Sequence, residues 1–343
     1  MATIRDLARE AGLSTGTVSN VLNNLQTVSG ENREKVLAAI KKLDYKKNRT
    51  AYQLRSKTSF TLGLVIPDIA NPFYPEIARG LEDAASRQGY SLFLCNKDRS
   101  VEQERVVLDA LVSQNVAGIV LYKPQLPAQE IEKVRSSCAL VLIDMAPDAF
   151  NCDSINVDDA QGIRMALRHI AEMDHRRIAF ISGSEDAYSS TIRMRTYIDT
   201  MKELGLPILD GYLQKGDYSL YSGRRAVESM MSLPQPPTAI MSANDIMAIG
   251  AMLRAAEMGL SIPADLSIVG YDDSQAVQYA KPELSTVWHP KYEIGQAATD
   301  LLLRRIAANR SGQPLPKQYI LLHPHFVRRE TLTTPRSSKL QSR

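Results

Sequence analysis

The chain has 343 residues, 44% hydrophobic and 23% charged, with 41 Lys+Arg against 38 Asp+Glu. At roughly 100–200 residues per compact unit this predicts two or three globular domains, and the composition excludes a disordered or fibrous chain. The longest apolar runs, such as Cys138 to Ile143, fall far short of the roughly 20 residues that span a bilayer, so no membrane partner is expected.

The N-terminus is amphipathic from its first residues and lacks the basic-then-apolar order of a secretory signal. Cys95, Cys138 and Cys152 are too sparse for a disulfide framework or a zinc site; free thiols in a reducing cytoplasm are expected. Charge is unevenly spread. Residues 1–59 hold 11 Lys+Arg and 5 Asp+Glu, whereas the remainder holds 30 and 33. A basic head on a mildly acidic body points to a polyanionic partner for the head.

Ile4, Leu7, Ala8 and Ala11 recur at helical spacing, and Gly12-Leu13-Ser14 breaks that helix, with Ser14 placed to cap the next. Val18, Val21 and Leu22 give a second apolar stripe. A third helix is predicted from Ser29, carrying Val36, Leu37, Ile40 and Leu43. This is the pattern of a helix-turn-helix over residues 4–22, within a DNA-binding domain of residues 1–46. Its second helix leaves Thr15, Gly16, Thr17, Ser19, Asn20 and Asn23 outside, small polar groups suited to base edges and phosphates. Residues 47–59 read as a polar, basic linker.

From Thr61 short β-type runs alternate with helical segments: Leu62–Ile66, Ser91–Leu94, Gly118–Tyr122, Leu140–Ile143 and Ile155–Val157, then Ile178–Ile181, Ala239–Ser242 and Ser267–Gly270. Apolar strands separated by helices predict parallel sheets built from βαβ units. There are too many for one sheet, so an α/β body of two lobes is expected over residues 60–330. The lobes are about 60–158 plus 290–320, and 159–289 plus 321–330. A small ligand would bind between them, beyond the carboxyl ends of the strands. Residues 331–343 are expected to form a tail, frayed from Thr333 onward.

Thr3-Ile4-Arg5-Asp6-Leu7-Ala8, Ala11-Gly12-Leu13-Ser14 and Thr17-Val18-Ser19-Asn20-Val21-Leu22-Asn23 closely resemble the head of the LacI/GalR repressor family. Val28-Ser29, Arg33-Glu34-Lys35-Val36, Leu43-Asp44-Tyr45 and Asn48-Arg49 continue the likeness. In the body it is carried by Ile66-Pro67-Asp68-Ile69-Ala70-Asn71-Pro72-Phe73-Tyr74, Asp174-His175-Arg176-Arg177-Ile178-Ala179, Asn244-Asp245-Ile246-Met247-Ala248-Ile249-Gly250 and Val269-Gly270-Tyr271-Asp272-Asp273.

The resemblance implies a helix-turn-helix head on a two-lobed body like the periplasmic sugar-binding proteins. It also implies a homodimer on palindromic duplex DNA and a small sugar-like effector. Thr3, Ser14, Ser29, Asn48, Ala51, Tyr52 and Leu54 join the DNA-contacting set on this basis. The segment matching Asn48 to Leu54 would be a hinge helix that folds on DNA, with Leu54 as a minor-groove wedge. The effector pocket would include Asp68, Phe73, Tyr74 and Asp144 from the first lobe, and Arg193, Tyr218, Asn244 and Asp272 from the second.

Several residues depart from common family choices: Thr15, Gly16 and Asn20 on the reading helix, Tyr52 in the hinge, and Met145, Tyr122 and Lys123 in the body. They predict an uncommon operator and effector, and Lys97 and Lys123 leave an anionic effector open. Residues 331–343 lack the heptads through which family members often form tetramers, so a dimer is expected. No GxGxxG, P-loop, GxSxG or HExxH motif is present, and no catalytic group, metal site or cofactor is assigned. A transport-type solute-binding protein and an α/β enzyme are the alternatives; the basic head and the lack of a nucleophile–base pair weigh against them.

Overall fold

Apolar side chains at helical spacing build the N-terminal unit, Met1–Ser59, and the change to alternating strands and helices marks the second, Phe60–Arg343. The structure, a computed structural model, describes residues 2–22, 28–45 and 59–336. Helices α1 (Ile4–Ala11), α2 (Thr15–Leu22) and α3 (Gly30–Lys42) close around Leu7, Ala8, Ala11, Val18, Val21, Val36 and Ala39. Leu37, expected in this core, is 54% exposed. The α3 stripe runs through Val36, Ala39, Ile40 and Leu43, and Leu37 lies about 100° around the helix from Val36.

In the second unit, the first lobe contains β1 (Thr61–Ile66), α4 (Phe73–Arg87), β2 (Ser91–Asn96), α5 (Val101–Ser113), β3 (Gly118–Tyr122), α6 (Ala128–Ser137), β4 (Ala139–Ile143) and β5 (Asp153–Val157). The chain then crosses to α7 (Asp159–Glu172), β6 (Ile178–Ser182), α8 (Tyr188–Glu203), β7 (Leu213–Lys215), α9 (Leu220–Met231), β8 (Ala239–Ser242), α10 (Asp245–Glu257), β9 (Ser267–Val269) and β10 (Thr286–Trp288). It returns as α11 (Lys291–Ser311) and β11 (Tyr319–Leu322), and crosses a third time into β12 (His325–Val327).

The first sheet has the order β11-β5-β4-β3-β1-β2 and the second β7-β6-β8-β9; both are parallel, and β10 pairs antiparallel with β12. Strands β3, β4, β5 and β6 are buried along their whole length, as strands covered by helices on both faces require.

Two expected boundaries are corrected. The division at 320/321 would cut β11, which pairs with β5 through Leu322 and belongs wholly to the first lobe. The start of the tail is not frayed. Thr331 and Leu332 are buried, Thr331 Oγ1 donates to the Ile268 carbonyl at 2.6 Å, and one His175 ring nitrogen lies 2.7 Å from the Thr333 carbonyl.

Each lobe contains one helix pair packed backbone to backbone. A Cβ at Gly80 on α4 would lie 2.1 Å from the Tyr292 carbonyl oxygen, and one at Gly295 on α11 would lie 2.2 Å from that of Ile77. In the second lobe Gly223 on α9 faces the Met247 carbonyl at 2.0 Å and Gly250 on α10 faces that of Leu220 at 2.1 Å. Alanine in a helix interior ordinarily gains about 1 kcal/mol over glycine. Here the clash is with rigid backbone, so Gly80→Ala and Gly223→Ala are each expected to destabilise by about 1–3 kcal/mol despite that gain. Urea unfolding of each variant measures this; unchanged midpoints would show that the helices can part freely.

Candidate functional site

In the N-terminal unit, local hydrogen bonds fix the turn between α1 and α2. Gly12 adopts φ +64°, the left-handed conformation that ends a helix at little cost for glycine, and Leu13 N donates to the Ala8 carbonyl at 3.0 Å. The Ser14 hydroxyl then caps α2 by accepting from Thr17 N at 3.0 Å. With Val18 and Val21 buried, Thr15, Gly16 and Asn20 are exposed, and Thr17 and Ser19 are half-buried. A Cβ at Gly16 would meet only the Ser14 hydroxyl, at 3.6 Å, so packing does not require glycine there.

Thr3 forms a capping box with Asp6, and Ser29 caps α3 through Asn32 N at 3.4 Å; these hydroxyls hold helices in place. Asn23, Asn48, Ala51, Tyr52 and Leu54 lie outside the described residues.

In the second unit the lobes enclose a cleft of about 570 Å³, part of it open to solvent. Its walls follow the carboxyl ends of strands in both sheets: Pro67 after β1, Lys97 and Arg99 after β2, Lys123 and Gln125 after β3, Ser184 and Asp186 after β6, Tyr218 after β7, Asn244 after β8 and Asp272 after β9. Of the predicted residues, Phe73, Tyr74, Arg193, Tyr218, Asn244 and Asp272 line it.

Asp68 does not. Its carboxylate accepts from Ala70 N at 2.9 Å and shapes the loop after β1. Asp144 lines a smaller adjoining cavity with Tyr122, Ser189 and His289. Met145 is buried in the first-lobe core among Val65, Leu121 and Leu142 and does not face the cleft.

The floor on the first lobe is aromatic. Phe73, Tyr74 and Tyr122 meet edge to face with ring centroids 5.2–5.9 Å apart, and His289 meets Phe73 at 5.0 Å. On the second lobe Arg193 is buried over the Tyr271 ring at 3.7 Å. Its Nε donates to Asp159 Oδ1 at 2.8 Å, one Nη to the Ala243 carbonyl at 2.5 Å, and Asp272 Oδ1 lies 3.8 Å away.

Burial pushes the Asp272 carboxyl well above the usual carboxylate range, and Arg193 opposes that shift. His289 is pushed far below its ordinary value, first by burial and then by Arg193 and Lys291, which keeps its ring neutral. Both polar ends of Asn244 are engaged: Oδ1 accepts from Met247 N as the cap of α10, and Nδ2 donates to the Tyr218 carbonyl at 3.3 Å.

Direct hydrogen bonds bridge the lobes around the cleft. Asp144 accepts from Ser189 N at 2.8 Å and from its hydroxyl at 3.0 Å. The Gln125 amide donates to Asp186 at 3.2 Å, and Arg99 donates to the Asp217 carbonyl at 2.8 Å.

Seven described residues at these strand ends have positive φ: Asp98 (+51°), Arg99 (+54°), Lys123 (+51°), Asp144 (+59°), Tyr218 (+68°), Asp272 (+110°) and Asp273 (+51°). Such conformations are uncommon for residues with a side chain and need support from their surroundings. For Asp272 the support is Lys291, fully buried, whose ammonium donates to the carbonyls of Asp272 (2.6 Å), Asp273 (3.2 Å) and His289 (3.2 Å) and lies 3.5 Å from Glu76 of α4.

Sequence reasoning missed Arg99, Gln125, Ser184, Asp186, Ser189 and Lys291. The first four follow strand ends within a few residues, a positional rule that spacing could have supplied, and Ser189 lies in the first turn of α8. Nothing local marks Lys291, because its partners lie up to 215 residues away.

Comparison with known proteins agrees with this geometry. Residues 3–48 match the family model of bacterial regulatory proteins of the lacI family, and residues 167–332 match a periplasmic binding protein-like domain. The chain is 36% identical over 304 residues to catabolite control protein A of Priestia megaterium, covering 88% of this chain and 92% of that one. It is 35% identical over 332 residues to the ribose operon repressor of Escherichia coli K12, covering 96% and 99%. Among solved structures it is similar to the Lac repressor dimer bound to operator and the anti-inducer ONPF, with TM-score 0.84, 30% identity and coverage of 97% and 99%. It is also similar to the transcriptional regulator CelR in complex with cellobiose, with TM-score 0.71, 27% identity and coverage of 96% and 100%. The matched head sets the transport-protein alternative aside, and the named relatives are regulators of transcription. The chain therefore belongs to the lacI family of bacterial transcriptional regulators.

Proposed function

We propose that this protein is a cytoplasmic repressor without catalytic activity: a homodimer that reads palindromic operator DNA through α2 and is switched by a small sugar-like effector in the inter-lobe cleft. The observation that carries this reading is the cleft itself. Polar groups from both lobes converge on it beside an aromatic floor, the surface a sugar ring needs. The contacts Asp144–Ser189, Gln125–Asp186 and Arg99–Asp217 already join the lobes. An effector that replaces or reinforces them favours one lobe arrangement, and its influence on DNA affinity equals the influence of DNA on its own affinity. The dimer is supported by a shallow apolar groove on the first lobe, where Ile69 and Leu94 are 42% and 43% exposed beside Leu92, Pro75 and Ala78.

In vitro selection from random duplex DNA at one fixed salt concentration tests the DNA reading; fixed salt matters because a basic head binds any duplex as salt falls. A palindromic motif is expected, and it is lost on removing residues 1–59. Asn20→Ala is expected to relax one position of each half-site by about 1–3 kcal/mol. Enrichment of no motif, or of an asymmetric one, counts against the dimeric reader.

Arg193→Leu leaves Asp159 and Asp272 buried without their cation, and is expected to destabilise the body by about 3–5 kcal/mol. It should also abolish the effector response while non-specific DNA binding persists; a variant that still responds to effector would remove Arg193 from the site. Leu94→Asp is expected to shift the protein toward monomer in light scattering at micromolar concentration and to weaken operator binding. A variant that stays dimeric would place the interface elsewhere.

A further inference from the structure

Hydrogen-bonding capacity in the cleft is unevenly spent. Arg193 donates to Asp159 and to the Ala243 carbonyl, and its charge is also met by Asp272 at 3.8 Å. Lys97, also buried, is engaged by Glu104 and by the Lys123 carbonyl. Glu104 in turn accepts from Gln125 N at 2.9 Å and Leu126 N at 3.0 Å, which fixes the loop that begins at Lys123.

Lys123 itself is not engaged in this way. Its side chain is 16% exposed, and its ammonium lies 3.6 Å from Asp144 Oδ2, beyond hydrogen-bonding distance. That carboxylate is already held by Ser189. The ammonium also lies over the Tyr218 ring, at 4.5 Å. The Tyr218 hydroxyl is buried and unpartnered among the described residues, and its ring is wedged against Gly183, where a Cβ would lie 2.2 Å from it. At the rim, Arg99 donates one Nη to the Asp217 carbonyl, and the rest of its donor fork has no hydrogen-bond partner among the described residues.

We propose that the effector carries an anionic group, a carboxylate or a phosphate, and that Lys123, with Arg99 and the Tyr218 hydroxyl, receives it; this rests on reading the cleft as the effector site. This end of the cleft offers hydrogen-bond donors whose capacity is unused. A neutral polyol would bring hydroxyl protons that need acceptors of their own, whereas an oxyanion brings only acceptors. A desolvated ammonium whose nearest carboxylate lies beyond hydrogen-bonding distance is incompletely compensated, and charge-assisted bonds to an oxyanion complete it. Acceptors of the cleft wall include Asp272, Asp186 and the unpartnered Oε1 of Gln125, where sugar hydroxyls can donate.

Calorimetric titration of the full-length protein, at constant ionic strength because surface charge is screened by salt, tests this with two matched sets: ribose, ribonate and ribose 5-phosphate; mannose, mannonate and mannose 6-phosphate. In at least one set an anionic member is expected to bind about tenfold or more tightly than its neutral parent, and the aldonate and phosphate arms separate the two anion classes. Lys123→Met should erase that preference and leave the neutral parent within about threefold, and Lys123→Arg should retain it. Arg99→Gln, at an exposed position, should reduce it without changing the melting temperature. Neutral sugars that bind as well as their anionic partners, or a Lys123→Met variant that weakens both alike, overturn the anion site and leave the effector reading standing. Binding of no member of either set overturns the effector reading and the anion site with it.

Discussion

A buried guanidinium has to find acceptors, and much of the second lobe is arranged around meeting that demand for Arg193. It projects from α8, lies over Tyr271, and is met by Asp159 at the start of α7, the Ala243 carbonyl beyond β8 and Asp272 beyond β9. Each acceptor comes from a different segment, so the charge can be buried only when those segments are in place. This ties the wall of the cleft to the integrity of the lobe. An incompletely paired charge there would cost several kcal/mol, comparable with the whole stability of an ordinary domain.

The same dependence extends to the first lobe through Lys291. Its ammonium spans three carbonyls at the end of β9 and the adjacent crossing, and Glu76 on α4 completes its shell. Asp272 is held at φ +110° by these bonds, so the carboxylate that faces the cleft is positioned by a residue at the start of a first-lobe helix. The paired glycine contacts give this helix its seat. Gly295 on α11 and Gly80 on α4 bring the two backbones together, and Gly223 and Gly250 do the same in the second lobe. The two lobes therefore share one packing solution and differ in the polar residues displayed at their strand ends.

The head follows other rules. Its core is small, and its geometry depends on caps: Thr3 with Asp6 on α1, Gly12 and Ser14 at the turn, and Ser29 on α3. These side chains act within four residues of themselves. That is why spacing alone identifies them, and why the outward set Thr15, Gly16 and Asn20 is legible in the amino-acid order of a single helix.

What the sequence by itself determined was local or periodic. The three head helices, the α/β alternation, the basic head and the placement of ligand groups after strands all rest on spacings that secondary structure imposes directly. Phe73, Tyr74, Arg193, Tyr218, Asn244 and Asp272 were legible through motif and strand-end position together. Only the tertiary structure decided the use of each side chain, because burial and hydrogen bonding depend on partners far away in sequence. It turned Asp68 to its own loop, put Met145 in the core, moved β11 whole into the first lobe and bound the start of the tail through His175 and Ser267. Lys123 and Lys291 show the limit most clearly. Both lie within three residues of a strand end, yet one leaves its ammonium without a hydrogen-bond acceptor among the described residues of the cleft and the other spends it on three carbonyls. That difference arises where two lobes meet, from contacts that no sequence window contains.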